Sequence, residues 1–315
     1  MKKLTRTECA EYLRAHDDYV ILTHARPDGD TVGSASALCS ALRRMGKRAS
    51  LFPNPEITER YKPFAAPYIE PDRAEAIHIS TDIAEAKLFP VGFAGTVSVA
   101  IDHHPKNPDF TENGLLLDGD KASCGEIIMD VIELCCGSLT KEEADLIYVA
   151  LSTDCGCFQY GNTKSDTHIA AAKLIDYGAD TMPLNKELFR SFSFARLRLE
   201  GKVYESLRST RDNALNIAVI TRKMMEESGV TEDDCDDLAN LAGKVRGNRV
   251  AVTVREQKDG KSHASVRTDG SVDASEICAR FGGGGHKMAS GCSSDMQPYE
   301  LAEAIERAVN ELWPE

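Results

Sequence analysis

Length, composition and charge limit what this chain can be. It has 315 residues, 42% of them hydrophobic and 28% charged, with a formal net charge of −13. That length is typical of two domains, and the composition is that of an ordinary globular protein. The acidic excess argues against a broad basic surface for long nucleic acids. It leaves room for a short anionic ligand held by metal ions and a few arginines.

No segment of the sequence has the character of a membrane or export signal. The opening MKKLTRTECAEYLRAHDD is charged, and no apolar run approaches the roughly 18 residues of a membrane span. The ten cysteines form neither a CxxC pair nor a zinc-finger spacing, so we expect reduced, mostly buried thiols. We therefore expect a cytoplasmic protein that does not contact a membrane.

The first part of the chain alternates strands and helices. An amphipathic helix is predicted over residues 5–16, followed by the buried strand DYVILTH, the turn RPDGD and the helix TVGSASALCSALRRMG. Further strands are predicted at RASLFP, AIHIS, TVSVAID and LLLDG, and helices at SCGEIIMDVIELCCG, KEEADLIYVALSTD and DTHIAAAKLIDYGA. This alternation predicts an α/β fold in which a mostly parallel sheet carries helices on both faces.

The pattern changes after about residue 178. The segment MPLNKELFRSFSFARLRLEGKVYESL is polar, helical and basic in its centre, which is typical of a bridge between domains. Beyond it we predict the strand ALNIAVIT, a helical stretch to about Lys244, a hairpin over NRVAVTVREQKDGKSHASVRTDG, a loop at GGGGH, a strand at KMASGCS and a closing helix YELAEAIERAVNELW. We divide the chain into a domain 1–178, a linker 179–195 and a smaller α/β domain 196–315. The active-site cleft is expected between the two domains.

Several side chains that bind metals stand where predicted strands or helices end. They are His24, Asp28, Asp30, Asp82, Asp102, His103, His104 and Asp154. Taken singly, such residues are more often turn residues, helix caps or hydrogen-bonded histidines. In an open parallel sheet, however, ligands bind beyond the carboxyl ends of the strands, where one cleft could collect the whole set.

The chemistry of this set favours one class of ion and one class of reaction. Carboxylates with a minority of imidazoles favour Mn²⁺ or Mg²⁺ over a thiolate-type zinc site. Asp28 and Asp30, two residues apart in a turn, can address two ions at once. Two ions about 3.5–4 Å apart stabilise the attacking and leaving oxygens of an in-line displacement, as in the hydrolysis of a phosphate ester.

The second half of the sequence offers groups that could hold an anion. In GGGGH, from Gly282 to His286, glycines allow the backbone to approach an anion and point N–H groups at it. Arg267 ends a predicted strand and could form a bidentate pair with a phosphate. The alternatives are a flexible linker for the glycines and an ordinary surface residue for the arginine.

These motifs resemble the DHH phosphoesterase family, in the subfamily with a DHH-associated C-terminal domain. HARPDGDTVGS resembles the first motif, IDHH the name-giving motif, STDCGCFQYGNT the later acidic motif, and SVRT with DASEICARFGGGGHKMASG the substrate motif of the C-terminal domain. The resemblance covers nearly the whole chain and is strongest to the bacterial nano-RNase and pAp-phosphatase type, where pAp is 3′-phosphoadenosine 5′-phosphate. It implies a phosphoric-ester hydrolase acting on short RNA or DNA oligonucleotides, linear dinucleotides or pAp.

The resemblance also implies roles for individual residues. One metal would be held by His24, Asp28 and Asp82, and the second by Asp30, Asp82, His103 and Asp154. The cofactor would be two Mn²⁺, with Mg²⁺ or Co²⁺ as alternatives, and a bridging hydroxide would attack phosphorus in line. The catalytic group would comprise His103, His104, Asp30 and Asp82, with His104 touching the scissile phosphate and Asp102 orienting a histidine. A terminal phosphate would be held by Arg267, Gly283, Gly284, Gly285 and His286.

Some assignments stay open at this stage. In the second motif, HISTDIAEAK offers Asp82, but Asp72 and Glu85 are nearby alternatives. Cys155 and Ser290 depart from residues frequent in the family, which leaves the preferred substrate undecided. Alternative functions are a cyclic dinucleotide phosphodiesterase, an inorganic polyphosphate or pyrophosphate phosphatase, and a nucleotide-binding sensor without catalysis. A long-DNA exonuclease is disfavoured by the acidic charge, and a homodimer is an option from the family.

Overall fold

A computed structural model of the chain divides into two compact units, Met1–Ser191 and Phe192–Glu315. It describes residues 2–104, 107, 110–231, 233–235 and 238–313. Within these residues, every helix is too short or too polar to cross a bilayer. The α/β class, the parallel sheet of the first domain and the two-domain organisation predicted from the sequence are confirmed.

The first unit is built on a five-stranded parallel sheet. Its strands are β1 (Tyr19–Leu22), β2 (Ala49–Leu51), β3 (Ile77–Thr81), β4 (Val97–Asp102) and β5 (Thr111–Leu117). Their order across the sheet is β2-β1-β3-β4-β5, and all neighbours are parallel. The chain therefore reverses its direction of winding between β1 and β3, and a crevice opens at such a switch point beyond the carboxyl ends of the strands.

The α-helices cover one face of this sheet, whereas helices on both faces were expected from the sequence. They are α1 (Arg6–Ala15), α2 (Gly29–Arg44), α3 (Lys62–Ala65), α4 (Cys124–Cys136), α5 (Lys141–Asp154), α6 (Ser165–Asp176) and α7 (Thr181–Arg190). Alternate strand residues such as Tyr19 and Ile21 pack against them, and each fully buried aliphatic side chain contributes about 1.5–3 kcal/mol to folding. The side chains of Val20 and Leu22 point to the opposite face, which is covered by a second cluster that includes Ile83.

Two glycines of α2 allow a close contact between α2 and α5. A Cβ on Gly33 would lie 2.4 Å from the Leu146 carbonyl oxygen, and one on Gly29 would lie 2.4 Å from the Thr153 hydroxyl. Neither distance is tolerated, so only glycine lets the two helices approach this closely. The contact brings the N-terminus of α2 beside the C-terminus of α5.

The second unit contains a six-stranded mixed sheet. Its strands are β6 (Arg208–Thr210), β7 (Leu215–Ile220), β8 (Val250–Glu256), β9 (Ser262–Thr268), β10 (Gly284–His286) and β11 (Ala289–Ser294), in the order β10-β11-β9-β8-β7-β6. Only β7 and β8 are parallel neighbours. The helices of this unit are α8 (Phe194–Glu205), α9 (Arg222–Ser228), α10 (Ala274–Ala279) and α11 (Pro298–Leu312). The apolar face of α11, with Leu301 and Ile305, is buried in the core of this sheet.

Three local expectations differ from the structure. The helical stretch expected up to about Lys244 is interrupted: α9 ends at Ser228, because Gly229 adopts a left-handed conformation (φ 74°), and only short 3-10 helices follow among the described residues up to Lys244. The glycine run is not a free loop, since Gly284–His286 pair with β11 as an edge strand. Residues 179–195, expected as a linker, contain α7, whose Leu188 is fully buried in the core of the first unit.

Candidate metal centre

The first part of the candidate site lies where β1 leads into α2. His24 follows β1 by two residues, and its Nδ1 lies 2.8 Å from the Ala25 carbonyl oxygen. Because a carbonyl can only accept, Nδ1 carries the proton of that hydrogen bond and Nε2 is free to act as a ligand. His24 Nε2 lies 3.5 Å from Asp28 Oδ1 and 3.7 Å from Asp82 Oδ2. Asp28 caps α2 by accepting hydrogen bonds from the backbone N–H groups of Asp30 and Thr31.

Asp82 occupies the centre of the site. It directly follows β3, with a left-handed φ of 59° that Asp tolerates better than most residues, and its N–H donates to the Ile101 carbonyl at 2.9 Å. Only 3% of the residue is exposed. Its Oδ1 lies 3.4 Å from His103 Nε2 and 3.5 Å from His104 Nδ1, yet within the described residues no donor forms a hydrogen bond with it. A buried carboxylate oxygen left without a donor is suited to a cation.

The second part of the site gathers around His103, which follows β4. Its Nδ1 lies 3.2 Å from the Lys121 carbonyl oxygen, which again leaves Nε2 facing the carboxylates. That Nε2 is 3.6 Å from Asp30 Oδ2 and 3.7 Å from Asp154 Oδ2. Asp30 comes from the first turn of α2 and Asp154 from the last residue of α5, so the close contact of these two helices brings the carboxylates together.

His104 and Asp102 form a separate pair at the edge of the site. Asp102 is fully buried and accepts hydrogen bonds from the backbone N–H groups of His103 and His104 and from the Asn107 side chain. Its Oδ1 lies 2.8 Å from His104 Nδ1, so the Nε2 of this partly exposed ring is not used by Asp102. Asp102 therefore holds two consecutive histidines in place.

Electrostatics tests whether these residues fit a metal. Burial, together with the nearby Asp30, raises the pKa of Asp82 to about 7, although His103 opposes the rise. Burial also raises the pKa values of Asp30 and Asp154 above the usual range. Although burial alone would lower it, the pKa of His103 is raised to about 11 by Asp82, Asp30 and Asp154. So many negative groups in one buried place fit a divalent cation, and the mixture of carboxylate and imidazole suits a hard to borderline ion.

The side chains fall into overlapping groups that could each hold an ion. One group is His24, Asp28 and Asp82, another is Asp30, His103 and Asp154, and a third is Asp82, His103 and His104. Within each group the ligand atoms lie within 4.8 Å of one another. Asp82 belongs to two groups and lies between His24 and His103, so its two oxygens face opposite sides of the cluster.

The candidate phosphate-binding residues of the second unit lie on neighbouring strands. Ala289 of β11 pairs with both Arg267 of β9 and His286 of β10. Directly opposed residues of antiparallel strands project to the same face, so Arg267 and His286 share a face with only an alanine methyl between them. A Cβ on Gly283 would lie 2.2 Å from the Gly291 carbonyl oxygen, which explains why the residue just before the edge strand is glycine.

Comparison with known proteins identifies the family. The model of the DHH family N-terminal domain matches residues 18–151, and that of the DHHA1 domain matches residues 201–313. The bifunctional oligoribonuclease and PAP phosphatase NrnA of Thermus thermophilus is 32% identical over 306 residues, covering 95% of this chain and 91% of that protein. The chain belongs to the DHH family. As a DHH protein it is a phosphoesterase, a hydrolase of phosphoric esters.

Two further similarities support this membership. The protein of the same name from Bacillus subtilis is 26% identical over 301 residues, covering 91% of this chain and 93% of that protein. The crystal structure of an exopolyphosphatase-related protein from Bacteroides fragilis has a TM-score of 0.86 and 22% identity, covering 97% of this chain and 96% of that chain. The structural similarity shows that the fold is shared.

The geometry of this DHH site distinguishes between the acids that the sequence left open. Asp72 lies 2.9 Å from Nε2 of His78, a residue inside β3, and Glu85 pairs with Lys87 at 2.7 Å. Only Asp82 of the three belongs to the groups that could hold a metal. The placement agrees with the assignment of Asp82, whose role as a ligand stays a proposal.

The groups that hold the DHH site from behind were not predicted from the sequence. Asp30 accepts hydrogen bonds from the backbone N–H groups of Cys124 and Gly125, at 2.7 and 3.0 Å, and from the Ser34 hydroxyl at 3.0 Å. Asn162 donates to the Asp154 carbonyl oxygen at 3.1 Å. Most of these partners are backbone groups, which every residue type offers, and only the proximity of Asn162 to Asp154 in the sequence could have indicated a role.

Proposed function

We propose that the chain is a Mn²⁺-dependent phosphodiesterase and phosphatase that hydrolyses short oligonucleotides or linear dinucleotides to mononucleotides, and pAp to AMP. The observation that carries this proposal is the set of overlapping ligand groups around Asp82, a buried carboxylate with one oxygen that accepts no hydrogen bond from the described residues. The names of the relatives, which span almost the same length, support the class of substrate. A cytoplasmic location and a homodimer stay predictions.

The proposed metal ligands divide between two ions. His24, Asp28 and Asp82 would hold one, and Asp30, Asp82, His103 and Asp154 the other, which accounts for the six ligating side chains. When bound, a pair of Mn²⁺ ions supplies a water of lowered pKa and neutralises charge on the phosphate oxygens. The protein contributes the geometry, because the carbonyl partners of His24 and His103 direct both Nε2 atoms into the cluster.

We assign His104 as the residue that donates a proton to the leaving group. Burial would lower its pKa, but the hydrogen bond to Asp102 and the nearby Asp82 raise it, which favours the protonated imidazole. Since Asp102 engages Nδ1, the proton on Nε2 can be donated to the departing oxygen. Asp102 acts as a positioning residue that fixes the ring and stabilises its protonated form.

The second unit would supply the substrate anchor. Arg267 and His286 share one face of the mixed sheet, and Gly284 and Gly285 would offer backbone N–H groups at its edge. The N–H of Gly283, in contrast, donates to the Cys278 carbonyl oxygen at 2.9 Å. A guanidinium and backbone donors are suited to the terminal phosphate of a nucleotide. Fixing a terminal phosphate would favour short substrates, which agrees with the acidic charge of the chain.

A panel of four substrates tests this function. We would measure product release with Mn²⁺ from pAp, a 5′-phosphorylated dinucleotide, a five-residue RNA and cyclic di-AMP. We expect wild type to release mononucleotides from the linear substrates, and Asp30→Ala and Asp30→Asn to abolish release. Glu85→Ala is the matched control, since this acid lies near Asp82 in sequence but pairs with Lys87 outside the cluster. The proposal would be wrong if wild type turned over none of the four despite binding Mn²⁺.

A further inference from the structure

One short segment contacts His103 and Asp30 of the candidate metal centre from behind, and it reaches Asp154 through Asn162. We call residues 121–125, which lead from the loop after β5 into the first turn of α4, the backing segment. Its first carbonyl oxygen accepts from His103 Nδ1 at 3.2 Å, and its last two N–H groups donate to Asp30. Its second carbonyl oxygen accepts from Asn162 Nδ2 at 3.1 Å, and the same amide contacts the Asp154 carboxylate at 3.4 Å. The position of this segment therefore sets the orientation of ligands for a whole ion.

The residue that follows the backing segment is a buried acid. The side chain of Glu126, in the first turn of α4, is 1% exposed, and both of its oxygens are shielded from solvent. Its Oε2 lies 3.6 Å from Lys121 Nζ, a distance for an ion pair rather than a direct hydrogen bond. Burial raises the pKa of Glu126, while the Thr167 hydroxyl and the Lys121 ammonium oppose the rise. A buried carboxylate with only a distant ion-pair partner destabilises the folded protein, so a contribution to fold stability does not explain the presence of Glu126.

The surroundings of Lys121 show why this ion pair matters. The side chains of Lys121 and Glu126 line a cavity of about 250 Å³, together with Asp166, whose Oδ2 lies 3.7 Å from the same ammonium. Asp166 is 68% exposed at its side chain, so water screens its attraction. Without the buried partner, the Lys121 side chain could move into the cavity. Glu126 is thus the partner that holds Lys121 against the protein.

We propose that Glu126 is a positioning residue of the metal centre: by its ion pair with Lys121 it holds the backing segment, so that the Lys121 carbonyl keeps His103 Nε2 directed at the carboxylates. The inference rests on the proposed metal-dependent function. It assigns a role in metal affinity to a buried glutamate that is not one of the proposed ligands. Glu126 itself touches neither metal nor substrate.

The variant Glu126→Gln tests the proposal by Mn²⁺ titration calorimetry on the whole chain. Removing a direct partner of a metal ligand typically lowers metal affinity 10–100-fold. Glu126 acts through Lys121, one contact further from the metal, so we expect Glu126→Gln to lower Mn²⁺ affinity by about 3–10-fold. Metal-free Glu126→Gln should be at least as stable as wild type in thermal unfolding, because the neutral amide removes a buried charge and the Lys121 ammonium left behind is partly exposed and still faces Asp166. Added Mn²⁺ should reverse the loss of activity. A mere loss of packing would instead lower the unfolding temperature.

Two further variants make the test specific. Asp166→Asn, the exposed neighbour of the same ammonium, should bind Mn²⁺ as wild type does. In a double-mutant cycle, Lys121→Met and Glu126→Gln should weaken binding by no more together than either does alone, because both break the same ion pair. The proposal is overturned if Glu126→Gln binds Mn²⁺ within twofold of wild type, if Asp166→Asn weakens binding equally, or if the two effects multiply. If wild type binds no Mn²⁺, the metal-dependent function fails as well, so the two failures are distinguishable.

Discussion

Replacing Asp82 by asparagine should stabilise the metal-free protein and abolish its stabilisation by Mn²⁺. The substitution keeps the size of the side chain, and asparagine tolerates the left-handed backbone of this position (φ 59°), so little else should change. It removes a charge that the metal-free protein buries without a hydrogen bond to one of its oxygens. The gain in stability of the metal-free protein and the loss of stabilisation by Mn²⁺ have one cause, because the carboxylate is placed to bind a cation.

The size of the effect follows from the pKa of Asp82. The pKa rises from 3.8 to about 7 in the folded protein, a difference of about 3 units or about 4 kcal/mol at 1.36 kcal/mol per unit. Because the folded state binds the proton more tightly than the unfolded state, the charged group costs nothing below about pH 4. The cost grows between pH 4 and 7 and is complete above pH 7. We therefore expect the free energy of unfolding of metal-free Asp82→Asn to be higher than that of wild type by up to about 4 kcal/mol at pH 8, and nearly equal to it near pH 4.

Differential scanning calorimetry of the EDTA-treated proteins at pH 8 and pH 4 measures this difference. For a unit of this size, about 4 kcal/mol corresponds to a rise of roughly 8–16 °C in the unfolding temperature of the first unit. Asp102→Asn is the matched control, and it should lower the unfolding temperature of the metal-free protein. Asp102 is also buried, but four hydrogen bonds satisfy its carboxylate and, against the effect of burial, lower its pKa. If metal-free Asp82→Asn unfolded at a lower temperature than wild type at pH 8, our interpretation of the buried carboxylate would be wrong.

Three further outcomes follow from the structure. Stabilisation by Mn²⁺ should be larger at pH 8 than at pH 6, because binding must displace protons from Asp82 (pKa about 7), His24 (about 9) and His103 (about 11); equal shifts of the unfolding temperature at both pH values would contradict this. Gly283→Ala should cost about 1–3 kcal/mol in unfolding because its methyl would overlap the neighbouring strand. Gly284→Ala, which has open space at that position, should cost little stability but should raise KM if this edge binds phosphate. Equal losses of stability in Gly283→Ala and Gly284→Ala would contradict this account of the two glycines. His104→Ala should lower kcat by about 100-fold or more with a smaller change in KM, measured at saturating Mn²⁺, and an unchanged kcat would exclude it as the proton donor.

The residues of the candidate site could be anticipated because their types and positions carry the information. Histidines and aspartates placed directly after β1, β3 and β4 point to one edge of a parallel sheet, whatever the order of the strands. The strand order itself could not be read from the sequence, because the pairing of β1 with both β2 and β3 depends on long-range packing. That order places His24 and Asp82 at the switch point.

Other features depend on contacts that residue types do not reveal. Asp154 ends a helix rather than a strand, and it reaches the site only because Gly29 and Gly33 permit close packing of α2 against α5. Gly284–His286 pair as an edge strand although glycine has a low strand propensity, and Gly283 just before them lies too close to β11 for any side chain. Glu126 has the appearance of an ordinary residue in the first turn of a helix, and only its burial distinguishes it.

The most direct test of the metal centre is anomalous diffraction from crystals of the wild-type chain grown with Mn²⁺. We expect two manganese peaks about 3.5–4 Å apart. One should be bound by His24, Asp28 and Asp82, and the other by Asp30, Asp82, His103 and Asp154, with Asp82 touching both. A single peak, a pair of peaks that Asp82 does not bridge, or manganese bound only elsewhere on the chain would contradict the two-metal centre.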